Sequence, residues 1–182
     1  MLPSVKASLV TDFDASFAAV MASLRLDQAA GYVTALSGGP DSTALALLTQ
    51  RYADAAGKNH HAVIVDHGLR DGSGNEAERV QTRLRRFGVA SDIIQITEPR
   101  PTAGLQEWAR TNRHHVLLSA ARQRKAALLF AHHASDQAET VAMRLLKSSG
   151  LNGLGGIACR RMQHDVVVAR PVLGWMPDQL KA

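Results

Sequence analysis

The stretch YVTALSGGPDSTALALLTQ, residues 32–50, decides the fold because it places two glycines where an apolar strand turns into a helix. Residues 32–36 have the composition of a short buried strand, and residues 44–48 supply the apolar stripe of a helix. A strand that passes directly into a helix through glycines is typical of α/β proteins, in which such junctions hold ligands.

The junction itself consists of small and polar residues. Ser37, Gly38 and Gly39 can present backbone N–H groups that no Cβ shields, and Pro40 suits the first turn of the helix. Oriented N–H donors at a helix N-terminus form a site for an anion such as phosphate. A plain strand-to-helix turn with a Ser or Asp cap is the alternative, and these residues alone do not decide between the two.

Length and composition indicate an ordinary globular domain. A chain of 182 residues can form one domain with a sizeable core, and 46% apolar with 20% charged residues is usual for such domains. No run approaches the roughly 20 apolar residues of a membrane span, and acids interrupt the N-terminus where a signal peptide would be apolar. The single cysteine, Cys159, excludes an internal disulfide framework and a cysteine-based zinc site. We therefore predict a cytoplasmic protein.

The charge is basic and comes mainly from arginine. The net charge is +5, which suits a polyanionic partner or a solvated basic face. An aromatic content of 4% argues against a large base-stacking platform. The basic clusters are Arg83, Arg85 and Arg86; Arg110 and Arg113; and Arg122, Arg124 and Lys125.

Apolar segments alternate between short strand patterns and longer helix patterns. The predicted strands are residues 32–36, 62–66, 91–97, 126–131 and 165–169, and the predicted helices are residues 14–28, 41–56, 75–87, 104–123 and 136–146. This order predicts an α/β fold with a parallel five-stranded sheet and helices on both faces, formed by residues 1–182 as a single domain.

Polar segments follow the predicted strands, as a ligand site requires. DHGLRDGSGNEAE, residues 66–78, follows the second strand, and HHASDQAET, residues 132–140, follows the fourth. Ligands of parallel sheets bind beyond the carboxyl ends of the strands, so these segments and the glycine loop would meet at one edge. This coincidence favours a nucleotide site. The glycine-rich KSSGLNGLGG, residues 147–156, then leads to the last strand, and we expect its glycines Gly150, Gly153, Gly155 and Gly156 to keep it mobile.

The loop differs from the two best-known phosphate motifs. It lacks the Gly-Lys-Ser/Thr of a Walker A sequence, and it is not GxGxxG. SGGxDS instead resembles the PP-loop of the ATP pyrophosphatase family, which has an adenine nucleotide alpha hydrolase-like fold. The resemblance implies that the loop holds the β- and γ-phosphates of ATP, that an oxygen of the substrate is adenylated, and that a nucleophile then displaces AMP.

Four further segments narrow the resemblance. VDHGLRDGSGNEAE, GLQEWARTNRHH, HHASDQAETVAMRLLKSSGLNGLGGI and ARPVL, in this order, resemble the tRNA(Ile)-lysidine synthetase family over residues 33–173. The resemblance implies a ligase that uses ATP and Mg²⁺ to attach free lysine to C2 of the wobble cytidine in the CAU anticodon of tRNA(Ile). Leu105, Trp108 and Ala109 are predicted to dock the GLQEWAR helix on the core.

The resemblance also assigns site residues. It implies ATP binding by Ser37, Gly38, Gly39, Pro40, Asp41, Ser42, His67 and Gly68. It implies catalytic roles for Asp41, Arg110, Arg113, His133 and Asp136, with Asp41 and Asp136 as Mg²⁺ ligands. Each role has a structural alternative: Asp41 would stabilise a helix N-terminus, and His67 would lie in a simple turn. Arg110 and Arg113 would be solvated surface residues, and Asp136 would form a capping box with Glu139. A zinc site of His132, His133 and Asp136 is a further alternative.

Departures from the family pattern leave other functions open. Ser135 stands where the family usually carries a first acid, His114 replaces a tyrosine, and the chain ends at Ala182, before further family segments. The chain is therefore either a fragment or a short variant. An ATP- or tRNA-binding module without turnover and another PP-loop ligase are the alternatives; the lone cysteine argues against a thiolase. The candidates for lysine recognition are Asp66, Asp71, Glu76 and Glu107.

Overall fold

The computed structural model describes residues 5–68, 72–146 and 156–180, with side chains from residue 12 onward. Its helices are α1 Val5–Ser23, α2 Pro40–Ala55, α3 Ser73–Arg85, α4 Leu105–Gln123 and α5 Ala134–Leu146, followed by a 3₁₀ turn at Pro177–Leu180. Its strands are β1 Gly31–Leu36, β2 Asn59–Asp66, β3 Ser91–Gln95, β4 Ala127–Leu129, β5 Arg160–Gln163 and β6 Val166–Ala169. Within the described residues, no helix is long and apolar enough to span a bilayer.

The strands form one mixed sheet in the order β3-β2-β1-β4-β6-β5. Five strands are parallel and correspond to the five predicted ones, which confirms the α/β class. The predicted count of five is wrong by one, because β5 pairs antiparallel with β6 at the sheet edge. The sequence of β5, RRMQ, is almost entirely exposed and has no apolar alternation that would reveal a strand.

Helices cover both faces of the sheet, as predicted. β1 is buried at every position because it lies inside the sheet. Its Tyr32 and Leu36 pack on the face covered by α1, α2 and α3, whereas Val33 and Ala35 pack against α4 on the other face. This alternation is the two-residue period of a strand whose two faces are both buried.

The first helix lies earlier in the chain than the predicted residues 14–28. α1 ends at Ser23 because Arg25 adopts a left-handed φ of 54°, and the Leu26 N–H then bonds to the Met21 carbonyl oxygen. This is the 6→1 bond of a Schellman C-cap, formed here without the usual glycine. The apolar residues after Ser23 belong to the turn that leads into β1.

Candidate active site

The loop between β1 and α2 has two glycines with different reasons to be glycine. Gly38 has a φ of +84°, and a Cβ there would lie 3.0 Å from Cγ2 of Val80, so both the backbone conformation and the available space favour glycine. Gly39, the N-cap of α2, has a φ of −73°. A Cβ at Gly39 would make only an ordinary contact of 3.6 Å with Ser37 Oγ. The fold does not require glycine at Gly39, whereas close approach of a ligand would.

Hydroxyl groups close this loop on itself. Ser42 Oγ accepts from the Ser37 N–H at 3.2 Å and donates to the Gly39 carbonyl oxygen at 3.0 Å. Thr43 Oγ1 donates to the same carbonyl at 2.9 Å. No side chain caps α2, and Pro40 occupies its first turn as predicted. The N-terminal N–H groups of α2 are thus not used by a capping side chain and can bind an anion.

His133 brings the two candidate acids together. It follows β4, and its Nε2 lies 3.6 Å from Asp41 Oδ2 at the start of α2. Its Nδ1 lies 3.3 Å from Asp136 Oδ2 on α5. The imidazole ring therefore stands between a carboxylate of the glycine loop and a carboxylate of the HHASDQAET segment, as the two segments were predicted to meet at one edge.

The cap of α5 differs from the predicted one. The helix begins at Ala134, two residues before the predicted start, so His133 is the residue before it and Asp136 lies in its first turn. Asp136 Oδ2 accepts from the His133 N–H at 2.8 Å, which is the acidic half of a capping box. Asp136 is thus the acid that reaches back rather than the N-cap, and Glu139 is exposed on the next turn.

The carboxylates fit a magnesium ion that is held mainly by a nucleotide. Asp41 Oδ1 is buried and has no hydrogen-bond partner among the described residues, so it is available as an oxygen ligand. Mg²⁺ typically takes one or two carboxylates together with phosphate oxygens and water. In the described ranges, no group of three His, Cys, Asp or Glu residues could hold a metal alone. This observation disfavours the zinc alternative of His132, His133 and Asp136.

The charge of Arg113 acts on histidines that follow two different strands. Burial lowers the pKa of its guanidinium. Its charge acts on His67 after β2 and on His132 after β4, and in both cases burial is the larger cause of a lowered imidazole pKa. Arg110 is more exposed, and its charge also lowers the pKa of His132. The charges of the two predicted arginines therefore reach histidines that follow two different strands, His67 after β2 and His132 after β4.

The end of β2 is held in a turn. Gly68 has a φ of +60°, and its N–H donates to Asp66 Oδ1 at 2.9 Å. Arg100 donates to the Gly68 carbonyl oxygen. Asp66 is 8% exposed and occupied in this turn, which leaves it poorly placed to select a lysine. Glu76 and Glu107 are exposed on α3 and α4.

Three other expectations have different outcomes. Ser135 is exposed on α5, on the turn where Asp136 contacts His133. The His114 ring stacks on Phe130, the residue after β4, and its Nε2 lies 2.7 Å from Gln163 Oε1, so His114 joins α4 to the end of β4 and to β5. The expectation that Leu105 docks α4 is wrong, because it is 40% exposed. The residues Asp71, Gly150, Gly153 and Gly155 lie outside the described ranges.

Arg170, in the ARPVL segment, is a buried residue of this edge that was not among the predicted site residues. Arg170 follows β6 and is 8% exposed. Its Nη1 donates to the Ala158 carbonyl oxygen at 2.8 Å, and its guanidinium lies 5.6 Å from the Phe130 ring centroid. Burial lowers the pKa of Arg170, and its charge in turn lowers the pKa of His132. An arginine directly after a strand predicted to end at this edge was the available signal.

The chain is similar in sequence to several tRNA(Ile)-lysidine synthases. The chain is 41% identical over 151 residues to a tRNA(Ile)-lysidine synthase of Bradyrhizobium sp. strain BTAi1, with 81% of the chain and 42% of the relative covered. It is 45% identical over 146 residues to the tRNA(Ile)-lysidine synthase of Methylobacterium nodulans, with 80% and 42% covered. The chain thus spans about two fifths of the length of these relatives.

Solved structures with the same fold have diverged in sequence. The U34-tRNA thiolase NcsA of Methanococcus maripaludis, solved with its 4Fe-4S cluster, superposes with a TM-score of 0.75 at 18% identity, covering 94% of this chain and 61% of that one. The NH3-dependent NAD synthetase of Campylobacter jejuni gives 0.57 at 17% identity, covering 94% and 70%. At these identities the likeness supports the fold alone.

A family match covers nearly the whole chain and agrees with the geometry of the glycine loop. The PP-loop domain family matches residues 9–182, which include the β1–α2 loop and the polar ends of β2, β4 and β6. Together with the identity to the lysidine synthases, this match shows that the chain belongs to the PP-loop domain family.

Proposed function

We propose that residues 1–182 form a single catalytic domain that ligates lysine to tRNA(Ile), as the names of the similar relatives suggest. The observation that carries the proposal is the position of His133, which contacts Asp41 of the glycine loop and Asp136 of α5 at once. This contact gathers the loop and the HHASDQAET segment into one site, and these are two of the segments that resemble lysidine synthetases.

In the first step, ATP would adenylate O2 of the wobble cytidine and release pyrophosphate. The N–H groups at Gly38, Gly39 and the start of α2 bind the departing pyrophosphate. Arg113 and Arg110 stabilise the charge that develops on the α-phosphate, since a guanidinium fork matches its oxygens. Asp41 and Asp136 would hold Mg²⁺, which offsets phosphate charge when it is bound.

In the second step, the ε-amine of free lysine attacks C2 of the adenylated cytidine, and AMP leaves. His67 and Gly68 border the nucleotide at the end of β2, where Gly68 has a φ of +60° and its N–H donates to Asp66 Oδ1. The partners are therefore ATP, lysine and a tRNA(Ile) with a CAU anticodon, and the site of action is the cytoplasm, where all three occur.

Two alternatives make different predictions. A binding module without turnover is motivated by Ser135, which stands where the family has an acid; the exposure of Ser135 weakens this motive because Asp136 makes the site contact. Another PP-loop ligase would use a different acceptor. A thiolase that needs cysteine ligands or paired cysteines does not suit a chain with one cysteine.

The test is pyrophosphate release from ATP with Mg²⁺, lysine and a CAU-anticodon tRNA(Ile). Asp41→Asn keeps the size of the side chain and removes its charge, and Asp27→Asn is the matched control because Asp27 lies before β1, at the opposite edge of the sheet. Release that requires the tRNA, is lost in Asp41→Asn and persists in Asp27→Asn supports the proposal. ATP binding without release supports the binding module, and release that does not depend on the wobble cytidine supports another ligase.

A further inference from the structure

α5 carries a site residue but lacks a hydrophobic anchor. Asp136 lies in its first turn, yet no described side chain of α5 is buried. The apolar Met143 and Leu145 are 49% and 59% exposed. A helix usually keeps its place in a fold through the burial of one face, so the position of Asp136 must depend on other contacts.

Those contacts are polar, and Gln137 makes the central pair. Its Oε1 accepts from the Ile157 N–H at 2.6 Å, and its Nε2 lies 3.5 Å from the Ile157 carbonyl oxygen. One side chain thus faces both backbone groups of a single residue. Arg144, two turns further along α5, donates to the Gly156 carbonyl oxygen at 3.0 Å. At the start of the helix, the Ala134 N–H donates to the Trp175 carbonyl oxygen at 2.9 Å.

The 156–159 segment that Gln137 holds is itself fixed to the sheet. Arg170 Nη1 bonds to the Ala158 carbonyl oxygen at 2.8 Å, and the Arg170 N–H bonds to the Cys159 carbonyl oxygen at 2.8 Å. The segment then continues into β5, which pairs with β6. A series of bonds therefore runs from β6 through this segment to Gln137 and α5.

The structure assigns Gln137 as the positioning residue that fixes α5 on the 156–159 segment and so holds Asp136 against His133. The effect of this role on activity rests on the proposed function. The role explains Gly156 as well. A Cβ there would lie 2.5 Å from Gln137 Nε2, and the φ of +61° is unfavourable for other residues. Gly156 lets the amide of Gln137 reach the backbone.

Hydrogen exchange of the full chain tests this without activity. Gln137→Met keeps the length of the side chain and removes both polar atoms. We expect the amides of α5 to exchange faster in this variant while those of α2 are unchanged, because α2 is held by buried residues such as Leu45. Gln137→Glu keeps the oxygen that accepts from the Ile157 N–H and should restore most of the protection.

Gln81→Met is the matched control. Gln81 Nε2 donates to the Ser91 carbonyl oxygen at 2.8 Å, so this substitution also removes a glutamine-to-backbone bond. It does so on α3, which is held by buried Ala77, Val80 and Leu84. We expect no change in α5 exchange and none in turnover.

The kinetic test is the same pyrophosphate assay. Gln137→Met should lower kcat by up to about 100-fold, since displacement of a catalytic group by about 1 Å has an effect of this size. The KM for ATP should change much less than kcat, because the glycine loop belongs to β1 and α2 and only the contact of Asp136 is displaced. Unchanged α5 exchange, or faster exchange with an unchanged kcat, would overturn the assignment. If the wild-type chain releases no pyrophosphate, the proposed function fails, and the exchange comparison still decides whether Gln137 holds α5.

Discussion

Alanine at the two loop glycines should separate folding from ligand binding. At Gly38, with a φ of +84°, an L-residue costs roughly 1–2 kcal/mol. The contact of 3.0 Å with Val80 adds to this, so we expect a loss of about 2 kcal/mol in unfolding free energy. At Gly39 the backbone suits alanine, which restricts the unfolded chain and stabilises by about 0.4–1 kcal/mol. Alanine at the N-cap of a helix is less stabilising than glycine by a similar free energy, so the two effects nearly cancel. The free energy of unfolding of Gly39→Ala should therefore stay within about 0.5 kcal/mol of the wild-type value.

Thermal unfolding and ATP titration together measure both effects. For a domain of this length, about 2 kcal/mol lowers Tm by roughly 4–8 °C, which we expect for Gly38→Ala and not for Gly39→Ala. Gly39→Ala should instead lower ATP affinity at least about 10-fold, because in the proposed function the phosphates approach the backbone at Gly39. Gly57→Ala is the control for the effect of a positive φ alone, since Gly57 has a φ of +63° and a Cβ added there would have no neighbouring atom within 4 Å. Equal Tm losses at Gly38 and Gly39, or wild-type ATP affinity in Gly39→Ala, would refute the reasoning.

Three further outcomes follow from the buried charges and the exposed serine. Burial lowers the pKa of His60 to about 3, so the folded protein keeps this imidazole neutral while the unfolded chain protonates it below pH 6.5. The free energy of unfolding should therefore be at its full value above pH 6.5 and fall by about 2 kcal/mol at pH 5. Denaturant unfolding of the wild type and His60→Asn at pH 7.5 and 5 should show this loss in the wild type alone, and an equal loss in both proteins would contradict it. Arg113→Met should raise the imidazole pKa of His67 and His132 in an NMR titration, because a positive neighbour is removed; an unchanged His67 pKa would contradict the shared position of Arg113. Ser135→Asp should raise Tm slightly, since an acid in the first turn of a helix stabilises it by under about 1 kcal/mol. Pyrophosphate release should stay near the wild-type rate. A large gain in release would mean that Ser135 limits the reaction.

The sequence was sufficient for the parallel core because burial on both faces leaves a strong local pattern. Residues 32–36 and 62–66 were predicted strands, and both lie within observed strands of the sheet. β5 was missed because RRMQ is an exposed edge strand whose pairing is decided by its neighbour β6 rather than by its own composition. The end of α1 was missed because the C-cap at Arg25 uses a non-glycine residue in a left-handed conformation.

The candidate site was predictable where residues follow strands in sequence and not where contacts join distant segments. Asp41 and His133 were identified through the family resemblance of two segments that follow predicted strands, SGGxDS after residues 32–36 and HHASDQAET after residues 126–131. The Gln137 contact with Ile157 was not, because it joins residues on either side of a long connection and leaves no periodicity. Arg170 was similarly overlooked, since its meaning comes from burial against Phe130 and the Ala158 backbone.

The distribution of unsatisfied polar atoms gives a separate physical argument for this site. Burying a polar group without a hydrogen bond costs about 1–3 kcal/mol, so folds keep few of them without a reason. Among the described residues, the atoms of this kind are Asp41 Oδ1, His67 Nδ1, His132 Nδ1, His133 Nδ1 and Arg170 Nε, together with Thr49 Oγ1 and His61 Nε2. The first five residues follow β1, β2, β4 or β6 at the carboxyl edge of the sheet, whereas Thr49 and His61 lie within α2 and β2. A set that contains a carboxylate oxygen, imidazole nitrogens and a guanidinium N–H suits a ligand with both anionic and hydrogen-bonding groups. A nucleotide, with its phosphates and its base, meets this requirement.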